Sequence, residues 1–97
     1  MQLEFATRDL ERVCTDPRRM QARFRADVAR ALKRRLAELS YVDEPADLLL
    51  GTGRWEELHG DRSGQWSARL TRNWRLIVRP VDRAVVTVEI IEIVDYH

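Results

Sequence analysis

From Met20 onward, apolar residues fall at every fourth position: Met20, Phe24, Val28, Leu32 and Leu36, followed by Leu39. Such a stripe marks an amphipathic helix with its polar residues on the remaining sides. Asp16-Pro17 supplies its start. Aspartate serves as N-cap, and proline suits the first helical position, where no backbone N–H is needed. The spacing predicts one helix from this point to about Leu39. Before it, Thr7 to Val13 predicts a short helix that packs Leu10 and Val13. Pro45 stops any continuation, Ala46 to Leu50 allows one further helical turn, and Gly51-Thr52-Gly53 punctuates the chain.

After Gly53 the period changes from four to two. Trp66, Ala68 and Leu70 alternate with Gln65, Ser67, Arg69 and Thr71, and Trp74, Leu76 and Val78 alternate with Arg75, Ile77 and Arg79. These are two strands, and the short Thr71-Arg72-Asn73 link makes them a hairpin. If the apolar sets face the helices, Arg69, Arg75 and Arg79 share the opposite sheet face. Val81-Asp82-Arg83 turns the chain again, and the last strand runs from about Val85 to Val94. Its apolar phase slips where Val86, Val88 and Ile90 give way to Ile91 and Ile93. Either a bulge near Ile90 or burial of both strand faces accounts for this. Two N-terminal helices followed by a C-terminal antiparallel sheet predict an α+β, two-layer fold.

Composition narrows the picture. The 97 residues suffice for a single domain, 1–97, with a modest core, and 44% hydrophobic with 34% charged residues is an ordinary globular balance. No apolar run reaches membrane-spanning length. No secretory signal is visible between Met1 and Leu10, so cytoplasmic residence is expected. Cys14 is the single cysteine, which excludes an internal disulfide, and the two histidines and scattered carboxylates lack metal-ligand spacing. The net charge of +1 hides an asymmetry: Pro17 to Leu39 holds eight bases and two acids, whereas Thr87 to His97 holds three acids and neither lysine nor arginine. The basic segment is either a solvated helix face or a contact for phosphates or an acidic protein.

The C-terminal half concentrates the candidate chemistry: His59, His97 and several arginines. Imidazoles exchange protons near neutrality, and guanidiniums hold phosphates and stabilise the charge that builds on them. This set suits metal-free cleavage of RNA without a cofactor. Arg75 lies mid-strand, away from the expected core, either as a phosphate ligand or in a cross-strand ion pair with Glu89 or Glu92. Arg62, Arg69, Arg72 and Arg79 are candidate RNA-binding cations. Tyr96 either stacks on a base or caps the sheet edge. Trp66 and Trp74 fall in the apolar phase and are expected in the core, and Trp55 fits either the core or a stacking role.

His59-Gly60-Asp61-Arg62, Gly64-Gln65-Trp66-Ser67, Asn73-Trp74-Arg75 and the ending Ile93-Val94-Asp95-Tyr96-His97 resemble the HigB branch of the RelE/ParE toxins of bacterial type II toxin–antitoxin pairs. The resemblance runs from Arg54 to His97; before that, only the order of elements agrees. It implies a RelE-like fold and a ribosome-dependent mRNA endonuclease. It also implies partners: the 70S ribosome with its mRNA, and a helix-turn-helix, HigA-like antitoxin through which alone operator DNA is reached. Arg75 then stabilises the scissile phosphate, and His97 is general acid or base. At His59 the family usually carries lysine; at Glu56 some relatives carry histidine and others an acid. The second proton-transfer group is therefore Glu56 or His59. Two further readings stay beside this one: a ParE-like inhibitor of DNA gyrase, and a decayed toxin kept for antitoxin binding.

Overall fold

The computed structural model describes residues 2–42, 47, 55–82 and 87–95. Thr7 caps the first helix, α1 (Arg8–Thr15), its hydroxyl accepting the Leu10 N–H at 3.1 Å. Asp16 ends α1 and caps α2 (Pro17–Arg23), accepting the Arg18 N–H at 3.0 Å. The Asp16-Pro17 start is where the sequence placed it, but the single helix to Leu39 is not. Phe24 (φ −122°, ψ 154°) and Arg25 (φ −62°, ψ 158°) are extended, and a separate helix, α3, runs Ala26–Tyr41. Neither residue is a glycine or proline, so the break is tertiary in origin. Just before the break, Arg23 at the end of α2 donates to Asp9 on α1 at 3.0 and 3.2 Å, and at the break the Phe24 ring lies edge-on to Trp74, with centroids 5.6 Å apart. The four-residue stripe survives the break: Met20, Val28, Leu32 and Leu39 are all buried. The expected turn at 46–50 and the punctuation at 51–53 lie outside the described residues, except for Asp47.

Among the described residues the sheet has five strands in the order β1-β5-β4-β3-β2: β1 Gln2–Phe5, β2 Glu56–Glu57, β3 Trp66–Arg69, β4 Trp74–Asp82 and β5 Thr87–Asp95. Strands β2 to β5 form an antiparallel meander, while β1 joins parallel to β5 in the register Gln2↔Thr87 to Phe5↔Ile90. Strand β1 is an addition to the two helices and antiparallel sheet expected from the sequence. Its signal was there in Leu3 and Phe5 turned inward between exposed Gln2 and Glu4, but four residues are too few for period alone to settle.

The β3–β4 hairpin forms as expected, closed by the N–H groups of Leu70 and Thr71 on the Trp74 carbonyl at 3.0 and 3.4 Å. The slip in the last strand is a bulge. Ile77 pairs with Glu92 but Val78 with Ile90, so Ile91 is the extra residue. A second shift leaves Val81 unopposed beside Pro80, which cannot donate to the ladder.

One sheet face packs on the helices. Ala68, Leu70, Leu76 and Val78 meet Met20, Val28, Leu32 and Leu39, with Trp66 and Trp74 half-buried against them. Trp55 is buried in the same core, which settles its alternative against base stacking. No helix among the described residues is long and apolar enough to cross a membrane.

Candidate functional site on the second sheet face

Strand register decides which side chains share the face turned from the helices. Glu56 stands opposite Ser67, Ser67 opposite Ile77, and Arg69 opposite Arg75. Side chains opposite one another point the same way, and alternate residues follow them. Glu56, Ser67, Arg69, Arg75, Ile77 and Arg79 therefore lie on one face, as the alternation predicted for the three arginines. That face is not open throughout: Ser67 and Ile77 at its centre are 2% and 0% exposed. Glu56, Arg69 and Arg79 are exposed around them, and Arg75 is half-buried. Two strand spacings and two residues separate Glu56 from Arg75, roughly 12 Å between Cα atoms.

Arg69 and Arg75 are directly opposed like charges, an unfavourable pairing. The structure relieves it by turning Arg75 onto the hairpin. Its Nη1 donates to the carbonyls of Thr71 (2.9 Å), Trp74 (3.0 Å) and Arg72 (3.2 Å). One nitrogen is thereby fixed by backbone oxygens, while Nε and Nη2 make no hydrogen bond among the described residues. A guanidinium held in this way presents its other donors with little orientational freedom, which is what recognition of a phosphate requires. No sequence signal announced this anchor, because backbone carbonyls are common to every residue. The alternative ion pair to Glu89 or Glu92 falls on side chains outside the described set.

Glu56 opens β2, a strand of only two residues at the sheet edge. His59 is exposed and precedes the 3₁₀ turn Gly60–Arg62. Gly60 and Gly64 both adopt positive φ (67° and 86°), a conformation that disfavours side chains, so this loop needs its glycines. The turn is closed by Gln65 N–H on the Arg62 carbonyl (2.9 Å) and Leu58 N–H on the Gln65 carbonyl (2.9 Å). Arg62 donates from Nη1 to Gln65 Oε1 at 2.9 Å, so part of its guanidinium supports the loop. Arg72 is exposed at the hairpin tip. Tyr96 and His97 lie outside the described residues. The strand that leads to them brings Val94 opposite Arg75 and ends with Asp95 opposite Trp74, at the Arg75 end of the sheet.

The basic segment divides by use. Arg19, Arg23 and Arg25 pair with Asp16, Asp9 and Asp27 at 3.5, 3.0 and 3.9 Å, exposed contacts of small energetic weight. Hydrogen bonding to Arg23 holds the Asp9 carboxyl below its usual range. Arg30 and Lys33 border a groove of about 420 Å³ with Gln21, Ala26 and Ala29. Arg35 is the exception, turned inward with only 12% of its side chain exposed and paired with Glu38. Burial pushes the Cys14 thiol up to about 11, so it is not a nucleophile at neutral pH. No group of three or more metal-ligating side chains occurs among the described residues.

The chain is 36% identical over 64 residues to Toxin YoeB of Streptomyces coelicolor, a match that spans 66% of this chain and 75% of the relative. The chain belongs to the YoeB toxin family. It is thus a toxin of the RelE superfamily, as the motifs implied; the relatives carry the name of the YoeB branch rather than HigB. No family model matches the chain. Its fold is that of a YoeB/ParE toxin from Agrobacterium tumefaciens, with TM-score 0.70 and 21% identity over 100% of this chain and 99% of the other. A YoeB-YefM complex from Staphylococcus aureus gives 0.65 and 21%, over 100% and 97%. A mutant of YafQ from E. coli gives 0.62 and 18%, over 97% and 91%.

Proposed function

We propose that this YoeB-family chain is a metal-free endoribonuclease that cleaves mRNA on the ribosome. The observation that carries the reading is the shared sheet face, with a carboxylate at one end (Glu56) and a backbone-anchored guanidinium at the other (Arg75). In the proposed step, Glu56 or His59 takes the proton of an RNA 2′-hydroxyl. The resulting oxygen attacks the adjacent phosphorus, and a 2′,3′-cyclic phosphate forms as the P–O5′ bond breaks. His97 gives the departing 5′-oxygen its proton, and Arg75 balances the extra negative charge on the phosphoryl oxygens. Arg62, Arg69, Arg72 and Arg79 hold flanking phosphates, and Tyr96 meets a base. No cofactor enters this scheme. The ribosome supplies the orientation that so small a site lacks.

The proposed regulator is an antitoxin, supported by the S. aureus relative seen with YefM. The HigB-like motifs favour a helix-turn-helix antitoxin, through which alone the pair would reach operator DNA. Its acidic residues are expected in the groove beside Arg30 and Lys33, where charge complementarity would speed docking. Reversing Arg30, Lys33 and Arg34 to glutamate should weaken that complex and spare cleavage.

The test is purified translation with mapping of mRNA ends, run beside a gyrase supercoiling assay. New 5′ ends in ribosome-bound message, with unaffected gyrase, support the reading. Intact mRNA with inhibited gyrase favours the ParE-like alternative, which the combined name of the Agrobacterium structure keeps in view. Neither activity, with antitoxin binding retained, indicates a decayed toxin.

A further inference from the structure

Inside the basic helix α3, one arginine is spent on an acid rather than on solvent. Arg35 Nη1 bonds Glu38 Oε1, and the other oxygen of that carboxylate, Oε2, accepts the Trp55 indole N–H at 2.8 Å. The three side chains link α3 to the residue directly before Glu56. Trp55 is 6% exposed and packs in the core, whereas Glu56, the next residue, lies exposed on the opposite sheet face. The chain passes from one face of the sheet to the other within this single step.

Strand β2 is poorly equipped to hold Glu56 by itself. Among the described residues it has two residues, sits at the sheet edge and pairs through Glu56↔Ser67 and Glu57↔Trp66, continued by the Leu58 N–H on the Gln65 carbonyl. Short edge ladders open easily. A partly buried ion pair such as Arg35–Glu38 is also a weak source of stability compared with apolar packing of the same volume. What the charged pair adds is direction. Both carboxylate oxygens of Glu38 are engaged, so the indole is held at a defined point rather than merely buried.

We propose that Arg35, Glu38 and Trp55 are positioning residues that fix the reach of Glu56 toward the RNA; this inference rests on the reading of Glu56 as proton acceptor. Arg35 orients Glu38, Glu38 orients the indole, and the indole fixes the backbone from which the Glu56 carboxylate projects. A misplacement of about 1 Å in a reacting group costs on the order of a hundredfold in rate. The same network removes Arg35 from the cations available to phosphate.

The experiment is single-turnover mRNA cleavage by the full chain on programmed ribosomes at saturation, well below each variant's melting temperature. Trp55→Phe keeps an aromatic ring and deletes the N–H; Glu38→Ala deletes the acceptor; Glu38→Gln keeps an acceptor oxygen for the indole. Trp55→Phe and Glu38→Ala should each slow cleavage roughly tenfold to a hundredfold, while Glu38→Gln, which keeps an oxygen for the indole but loses the acceptor for Arg35, should fall between wild type and Glu38→Ala. Added to Glu56→Gln, Trp55→Phe should cost nothing further, because the group it positions is gone. Backbone N–H exchange at Glu56 should quicken more in Glu38→Ala than in Glu38→Gln. A wild-type rate in Trp55→Phe, or an equal loss in the Glu56→Gln background, overturns the positioning role. If Trp55→Phe does not fold, the Glu38 pair decides: equal rates for alanine and glutamine overturn it. An inactive wild type refutes instead the nuclease reading on which the inference stands.

Discussion

The two faces of the β3–β4 hairpin are built from neighbouring positions of the same two strands and obey different rules. On the helix face, Ala68, Leu76 and Val78 are all at most 1% exposed, and their identity is a matter of volume and apolarity. On the second face, Ser67 and Ile77 are equally buried, yet Arg69 and Arg75 beside them place two guanidiniums in direct opposition. A sheet selected for stability alone would avoid that pair. The hairpin carbonyls that draw Arg75 Nη1 aside reduce the cost and leave the arginine aimed. Apolar packing against the helices thus lies on one face and the proposed chemistry on the other, one residue apart along the strand.

Four experiments probe that contrast, beginning with the largest effect. Replacing Glu56 by glutamine removes a proton acceptor without changing size and should lower the cleavage rate by roughly 10²–10⁴. If His59→Ala shows that loss instead, with Glu56→Gln unaffected, the base is the histidine. Measured on programmed ribosomes, the pair of variants resolves which group acts.

Arg75→Ala follows, with an expected loss of roughly 10²–10³ in rate for a charge-stabilising donor. Lysine should restore little, since a point charge cannot hold three turn carbonyls and also present a planar fork. Because Nη1 braces the hairpin, alanine should also lower stability by about 1 kcal/mol. A variant that arrests growth like wild type at matched expression would refute the assignment.

The neighbouring change, Leu76→Ala, should do the reverse. Leu76 is fully buried on the helix face, so denaturant unfolding should report a loss of about 2–5 kcal/mol. The cleavage rate per folded molecule at low temperature should stay near wild type. Matching effects of Arg75→Ala and Leu76→Ala on both observables would show that the two faces are not separable.

The smallest effect is electrostatic. Asp9 has a depressed pKa when folded, chiefly from its hydrogen bond to Arg23, so its contribution is present above the unfolded value, near 4. It is lost as pH falls through the lower folded value. Arg23→Ala should therefore destabilise the chain slightly at pH 7, and the difference from wild type should vanish at the acid end of a melting-temperature series. A difference that persists there would assign Arg23 a packing role instead.

Period and punctuation set much of this molecule. The Asp16-Pro17 cap, the stripe from Met20 to Leu39, the alternation of β3 and β4 and the slip at Ile91 are local patterns, and local sterics and burial act on them directly. The side of the sheet that carries Arg69, Arg75 and Arg79 followed from the same alternation. Long-range packing settled the rest. It broke the long helix at Phe24-Arg25, where no residue signals a break and where the Phe24 ring packs edge-on against Trp74, a partner far off in sequence. It added β1 by pairing four N-terminal residues with a strand at the other end of the chain. It placed Glu56 on the face of Arg75 through a two-step register across β3, and it turned Arg35 inward to Glu38 while its basic neighbours stayed exposed. Each of these rests on contacts between distant residues, and only the folded chain brings such residues within reach of one another.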